Sequence, residues 1–328
     1  MRLRALTAAL LLLCCEPRLV VAAADRPADV TPCDFYTRKT IGAPTAANQR
    51  LLMTLVLHSA LLGPYSQYNT VPVDDFTGAL HPREYRGSYV DLNGYFNGGL
   101  ASANTGKSTG EAVSFLDDGG LPLARESKPG NGNTTSHQYT FFTHVYSYFG
   151  TFLGCSTLGG SEFPAYAGKA SMYEVHKYMD LNAAEMGYFV EQAVKGLVSF
   201  GFSEADAQFV NATLDAKFNE RCAPAEAIIP PSAGPQLQAI CIAPDCALAA
   251  NDTCAAYGTI KAPAVANATL VGNFTKNADG QTSLNTSGTA SGATPTPTSG
   301  SGALVHVDGA GILLIALLGS WVIAFMNF

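Results

Sequence analysis

The stretch YTFFTHVYSYFGTFL at residues 139–153 carries more aromatic bulk than one side of a helix can present. Its apolar groups recur at 142, 145, 146, 149, 152 and 153, which is the spacing of an α-helix. Its aromatic and β-branched residues also suit a strand, but the spacing favours a helix. A helix that is apolar on nearly every side is buried. The stretch therefore predicts a core with other elements packed around it.

Three further segments show helical patterns that would supply this cover. Leu51–Leu62 is strongly apolar. Asn182 precedes a periodic run as an N-cap with Glu185 three residues later, and Ser203 caps a last helix that ends near Phe218. Since no strongly alternating strand accompanies these helices, the pattern predicts an all-α domain.

Both ends of the chain are typical of targeting signals. Residues 1–24 combine early arginines, an apolar run and a small-residue cleavage site, as secretory signal peptides do. Residues 301–328 end in an uncharged apolar tail, and the small residues just before that tail complete the pattern of a GPI-attachment signal. A membrane span is the alternative for this tail, but no basic residues follow it. We expect a secreted protein, held at the cell surface by a lipid anchor in the outer leaflet of the membrane.

Composition divides the rest of the chain. Residues 33–222 hold most of the aromatic and aliphatic groups and predict one domain, with an irregular insertion at about 63–138. Residues 223–260 form a cysteine-containing extension. Residues 261–300 are rich in Ser, Thr, Asn, Gly and Pro and predict a disordered, glycosylated stalk, because they have little apolar surface to bury.

Cysteine usage and charge narrow the class of protein. Six cysteines remain beyond residue 24, and an even number in an exported chain predicts three disulfides whose pairing the sequence leaves open. The cysteines are Cys33, Cys155, Cys222, Cys241, Cys246 and Cys254. The chain carries 19 Lys and Arg against 26 Asp and Glu, a net charge of −7 that argues against a nucleic-acid partner.

The order of these segments resembles the group I truncated haemoglobins. HVYSYFGTFLGC (144–155) resembles that family's E helix, and YAGKASMYEVH (166–176) resembles the segment that supplies its proximal haem ligand. Residues 179–210 resemble its G and H helices, and FYTRKTIGA (35–43) resembles the start before its B helix. The resemblance implies a globin-like two-over-two helical sandwich around haem b. Relatives lack the long insertion between the B and E helices.

The resemblance also implies roles for particular residues. His176 would be the proximal ligand of the haem iron, with Met172 beside the ring. His144 would be a distal residue that binds the iron itself or hydrogen-bonds a bound gas, and Tyr148 and Phe149 would line the distal side. Without the resemblance, a histidine among such apolar neighbours is more often an ordinary core residue.

Two positions are left less defined by the resemblance. His58 falls near the place where relatives carry a distal tyrosine. Either Phe96 or Phe115 would pack on the porphyrin ring, and the sequence does not choose between them.

Two functions are consistent with these observations. The first is a cell-surface haem-binding protein that binds O₂ or NO, or performs redox or detoxification chemistry at the iron; the sequence leaves open whether it is an enzyme. The alternative is a non-enzymatic GPI-anchored surface or cell-wall protein, adhesive or structural, whose globin-derived domain has lost haem. The insertion at 63–138 could contact a cell-wall or surface partner in either case.

Overall fold

Helices and short strands alternate in the computed structural model, which describes residues 26–259 and 261–271 and the backbone of strands at 274–276 and 282–284. The α-helices in this part of the chain are α1 Pro32–Thr40, α2 Ala46–Leu62, α3 Asn93–Phe96, α4 Gly120–Arg125, α5 His137–Phe152, α6 Met172–His176, α7 Ala183–Ser199 and α8 Glu204–Phe218. The strands are β1 Arg83–Tyr85, β2 Ser88–Val90, β3 Asn97–Ala103, β4 Glu111–Ser114, β5 Glu220–Arg221, β6 Ala247–Leu248, β7 Ala264–Val265, β8 Phe274–Lys276 and β9 Thr282–Leu284.

The four long helices begin at side chains that cap them. The predicted capping box is confirmed at α7, where Asn182 accepts from the Glu185 backbone and Glu185 accepts from the Asn182 backbone. Ser203 caps α8 as predicted, and Ser136 caps α5. Helix α2 starts earlier than the apolar run predicts, because Thr45 accepts a hydrogen bond from its first turn.

Helix α2 is the centre of the core. It contacts α5 and α7, and α7 contacts α8. Nearly every side of its second half is buried, as the uniformly apolar sequence requires. Gly196 of α7 allows the close approach, since a Cβ there would lie 3.3 Å from the Val56 carbonyl oxygen.

The prediction of an all-α, two-over-two helical sandwich is wrong, because the insertion and the extension contribute strands. β1 pairs with β2, and β3 lies between β4 and β7, all antiparallel. β5 and β6 pair in parallel, and β8 and β9 pair antiparallel. The longest strand, NGGLASA, consists mainly of small residues and lacks the alternation that marks a strand in sequence. The domain is therefore a mixture of α and β structure.

The stalk prediction is also wrong at its start. Strand β7 lies within 261–300, and Leu100 and Ala101 of β3 pair with its Val265 and Ala264. The predicted signal peptide at 1–24, the GPI signal at 301–328 and much of the stalk lie outside the described residues. Within the part that the structure describes, no helix is long and apolar enough to cross a membrane.

The three predicted disulfides are confirmed and their pairing is now defined. Cys33–Cys155 joins α1 to the segment after α5. Cys222–Cys254 and Cys241–Cys246 close loops of the extension that follows α8. Disulfides of this kind are typical of an extracellular or secreted environment.

Candidate functional site

A cavity of about 780 Å³ lies inside the domain. Helices α2, α5, α6, α7 and α8 line it together with the β3–β4 hairpin, so the insertion supplies one of its walls. Most of the lining side chains are aromatic or aliphatic. Ligand pockets in proteins range over about 300–1,000 Å³, and this cavity is in the upper part of that range.

The cavity has a polar mouth. Its exposed lining residues are Thr105, His137, Thr140, Ala167 and Lys169. Within the described part of the chain, the Lys169 ammonium forms no ion pair with an acidic side chain. An apolar interior with a cation at its entrance suits an apolar ligand that carries a carboxylate at one edge.

His176, the last residue of α6, lies half-buried on the cavity wall. Its Nδ1 is 2.8 Å from the Met172 carbonyl oxygen. Because a carbonyl only accepts, Nδ1 carries the proton, and the lone pair belongs to Nε2. Nε2 has no hydrogen-bond partner among the described residues. Burial lowers the pKa of His176, with the bond to Met172 acting in the opposite direction, so the ring is neutral at neutral pH.

The insertion and helix α6 are joined by hydrogen bonds. The Asn104 side-chain amide donates to the Glu174 carbonyl oxygen at 2.6 Å. Just beyond the helix, the Tyr178 hydroxyl donates to the Lys107 carbonyl oxygen at 2.8 Å. The tip of the β3–β4 hairpin is therefore fixed to the segment that carries His176.

His144 reaches the same cavity from α5. Burial lowers its pKa, so this imidazole is also neutral at neutral pH. Its ring packs edge-on against Tyr166, with the ring centres 5.9 Å apart. Neither ring nitrogen has a hydrogen-bond partner in the part of the chain that the structure describes.

Tyr148, also on α5 and on the cavity wall, has a buried hydroxyl without a hydrogen-bond partner among the residues that the structure describes. The side chain is 7% exposed, and Tyr166 covers it edge-on at 5.2 Å. Burial raises the pKa of Tyr148, so the hydroxyl keeps its proton. An unmade hydrogen bond at a buried group costs about 1–3 kcal/mol, so a ligand atom that accepts from this hydroxyl would recover that cost.

The structure brings the predicted site residues together. His176, His144, Met172, Tyr148 and Phe149 all line the cavity. Phe96 and Phe115 line it as well, and both pack against Phe141 with ring centres 5.6 Å away.

His58 does not belong to the cavity lining. Its ring is fully buried, Nδ1 donates to the Ala124 carbonyl oxygen at 2.7 Å, and Nε2 accepts from the Tyr146 hydroxyl. Burial lowers its pKa to about 4. His58 therefore has a structural role in the core and does not take the place of a distal tyrosine.

Sequence reasoning missed one polar pair on the cavity wall. The Tyr95 hydroxyl donates to Glu185 at 3.1 Å, and both residues line the cavity. The sequence pattern indicates only the capping-box role of Glu185, and nothing in the pattern around Tyr95 points to its partner.

The residues of the cavity suit one kind of metal centre better than another. Among the described residues, no group of three or more His, Cys, Asp and Glu side chains is placed to hold a bare metal ion. Haem iron needs only one or two protein ligands, since the porphyrin supplies the others. The neutral imidazole of His176 meets that need.

Comparison of the chain with protein-family models, curated proteins and solved structures finds no match. The resemblance to the truncated haemoglobins stays a prediction that depends on the residues quoted above. A function for this protein therefore has to be inferred from the geometry of the cavity.

Proposed function

We propose that this protein binds haem b in the cavity, with Nε2 of His176 as an axial ligand of the iron. The observation that carries the proposal is the state of this ring, which is neutral, oriented through Nδ1 by the Met172 carbonyl and without a partner at Nε2 in the described part of the chain. Histidines that ligate metals usually donate their other ring N–H to a carbonyl or carboxylate in this way.

The surroundings of His176 support the same ligand. The aromatic and aliphatic walls would cover the porphyrin faces, with Met172 and Phe149 among them. Lys169 at the mouth would be available to the porphyrin carboxylates. The porphyrin is a flat apolar ring with carboxylates along one edge, so its polarity matches that of an apolar cavity with a cation among its exposed lining residues.

Bound haem would supply reversible binding of small gases or one-electron redox chemistry. His144 would either bind the iron through a ring nitrogen or hydrogen-bond a gas such as O₂ or NO. The Tyr148 hydroxyl would donate to an acceptor atom in the cavity. The aromatic walls would exclude bulk water from these groups. Fold alone does not choose between storage, sensing and detoxification.

We further propose that the protein acts at the cell surface. The signal sequence at 1–24 would direct export, and a GPI anchor would replace the tail within 301–328. The disulfides support export. The gas or oxidant that meets the haem would then be extracellular.

The ectodomain is the chain between the two predicted targeting signals, residues 25–300. Titration of the purified ectodomain with haemin tests the proposal. We expect a one-to-one complex with an intense absorption band near the blue edge of the visible spectrum. Metal-free protoporphyrin IX is the matched control, because it has the same shape and carboxylates but forms no bond to an imidazole. It should bind more weakly than haemin.

Two results would contradict the proposal. One is an ectodomain that stays colourless with haemin, and the other is equal affinity for the two porphyrins, which would place no weight on His176. The colourless result would favour the second candidate, a non-enzymatic GPI-anchored surface or cell-wall protein that has lost haem.

A further inference from the structure

Residues 237–243, which we term the strap, run along the segment that carries His176. At the start of that segment, the Ser171 hydroxyl donates to the Leu237 carbonyl oxygen at 2.6 Å. The Tyr173 backbone N–H donates to the same carbonyl at 3.3 Å. The strap therefore holds the first turn of α6 from outside the helix.

The strap also holds the chain beyond His176. The backbone N–H groups of Ile242 and Ala243 both donate to the Leu181 carbonyl oxygen, at 3.1 and 3.2 Å. Ile240, between the two points of attachment, lines the cavity. The His176 segment is thus fixed on both sides by one extended piece of chain.

Gln238 is the side chain at the centre of this arrangement. It is 2% exposed, and its Oε1 accepts from the Met172 backbone N–H at 3.3 Å. Its Nε2 donates to the carbonyl oxygens of Ala170 and Glu226, at 3.0 and 3.1 Å. The Met172 N–H therefore donates to Gln238, and the Met172 carbonyl oxygen accepts from His176 Nδ1 and orients that ring.

The disulfides of the extension keep the strap in place. Cys241, which is part of the strap, is bonded to Cys246 just after it. The Cys222–Cys254 disulfide closes a loop of chain that contains the strap. Beyond that loop, the Gly258 N–H donates to the Tyr173 hydroxyl at 2.8 Å. Such support is needed because α6 has only five residues and isolated helices of that length are unstable in water.

We infer that the strap positions the axial histidine, and that Gln238 is the positioning residue through which it acts. The inference rests on the proposed haem site and adds to it. It assigns the stapled extension, residues 223–260, a part in holding the histidine that would bind the iron.

The variant Gln238→Leu tests this inference in the full ectodomain. Leucine fills similar space but offers no hydrogen bond, so the Met172 N–H and the Ala170 carbonyl lose Gln238 as a partner, while the Glu226 carbonyl keeps its bond from the Gln236 N–H. Gln236→Leu is the matched control, since Gln236 lies one residue before the strap and its side chain, among the described residues, bonds only the nearby Ala233 carbonyl. Gln238→Asn keeps both an acceptor and a donor on a shorter side chain and should behave between wild type and Gln238→Leu, which provides a second variant if leucine prevents folding.

Two measurements are needed. In the haem-free proteins, hydrogen exchange at residues 172–181 should be faster in Gln238→Leu than in Gln236→Leu, with α2 and α7 unchanged. In the haem-loaded proteins, transfer of haem to a scavenging apoprotein should be about 10- to 100-fold faster in Gln238→Leu, the usual effect of losing a group that orients a metal ligand.

The outcomes separate the inference from the proposed function. Unchanged exchange at 172–181, or faster exchange without faster haem loss, overturns the inference alone. A wild-type protein that takes up no haemin overturns the proposed function, and the inference fails with it. Equal effects of Gln238→Leu and Gln236→Leu also overturn the inference, because general loosening of the extension would then explain them.

Discussion

The core around His58 and the cavity around His176 both surround an imidazole with aromatic and aliphatic side chains, but only the core engages both ring nitrogens. His58 donates to Ala124 and accepts from Tyr146, whereas His176 donates to Met172 and keeps Nε2 without a described partner. Burial lowers the pKa of both rings. Apolar surroundings and neutrality are therefore shared, and the hydrogen bonds of the ring nitrogens are what distinguish the two histidines.

The largest expected difference between the two histidines is in haem uptake. His176→Ala should abolish stoichiometric uptake, because it removes the only proposed axial ligand that is oriented by a backbone carbonyl. Folded His58→Ala protein should still take up one haem per chain. Absorption titration with haemin measures both, and tight uptake by His176→Ala through an axial nitrogen would contradict the assignment.

The second difference is in stability, where we expect the larger effect from substitution of His58 rather than His176. His58→Ala should lower the free energy of unfolding of the haem-free protein by about 3 kcal/mol, because it leaves a small void and removes two buried hydrogen bonds, one to the Ala124 carbonyl and one from the Tyr146 hydroxyl. His176→Ala should cost less than about 1 kcal/mol, since the ring borders a cavity and makes one hydrogen bond. Urea unfolding of the two variants provides the values. Equal costs would mean that the two rings have similar structural roles.

A third test uses pH. Between pH 6.5 and about 4 the unfolded chain protonates His58 while the folded protein keeps it neutral, so the unfolded state binds more protons and stability falls as pH falls. The loss should reach roughly 3 kcal/mol near pH 4 and should not grow further from this group below that pH. His58→Gln should remove this component. The same slope in His58→Gln and wild type would assign the acid sensitivity to other groups.

Haem retention should follow His176 rather than His58. Because ligation needs the neutral ring and burial lowers the pKa of His176, haem should stay bound below pH 6.5 and be lost only at lower pH.

His144 offers a smaller effect within the cavity. If its ring binds the iron, the ferric wild-type spectrum should be low-spin, and His144→Leu should convert it to high-spin or open it to added ligands. Stability should change little, since the ring has no described hydrogen bond to lose. An unchanged spectrum would reduce His144 to a packing residue beside Tyr166.

The smallest effect is expected at Tyr148. Tyr148→Phe removes a buried hydroxyl that lacks a partner among the described residues, so the haem-free protein should gain about 1 kcal/mol of stability, the lower end of the cost of an unmade hydrogen bond. The haem-loaded protein should lose affinity for a gas that accepts from this hydroxyl. Thermal unfolding and gas-binding isotherms measure the two effects. A destabilised haem-free variant would show that the hydroxyl is satisfied in solution.

The sequence predicts those parts of the molecule whose signals are local. The caps at Asn182 and Ser203 and the spacing within 139–153 define three of the four long helices. β3 could not be predicted, because its small residues show no alternation and one of its two pairing partners, β7, is distant along the chain. The strap carries no sequence signal either, since its role depends on hydrogen bonds between residues more than sixty positions apart.

The candidate site divides in the same way. His144, Tyr148 and Phe149 share one helix, so their common cavity follows from helical spacing. The contrast between His58 and His176 depends on carbonyl and hydroxyl groups that only the folded chain brings near, such as Ala124 and Tyr146.

A crystal structure of the haemin-loaded ectodomain tests the central claim most directly. We expect one porphyrin in the cavity, with Nε2 of His176 bound to the iron and Nδ1 still donating to the Met172 carbonyl oxygen. A cavity without porphyrin, or iron bound while His176 remains turned away from it, would contradict the account.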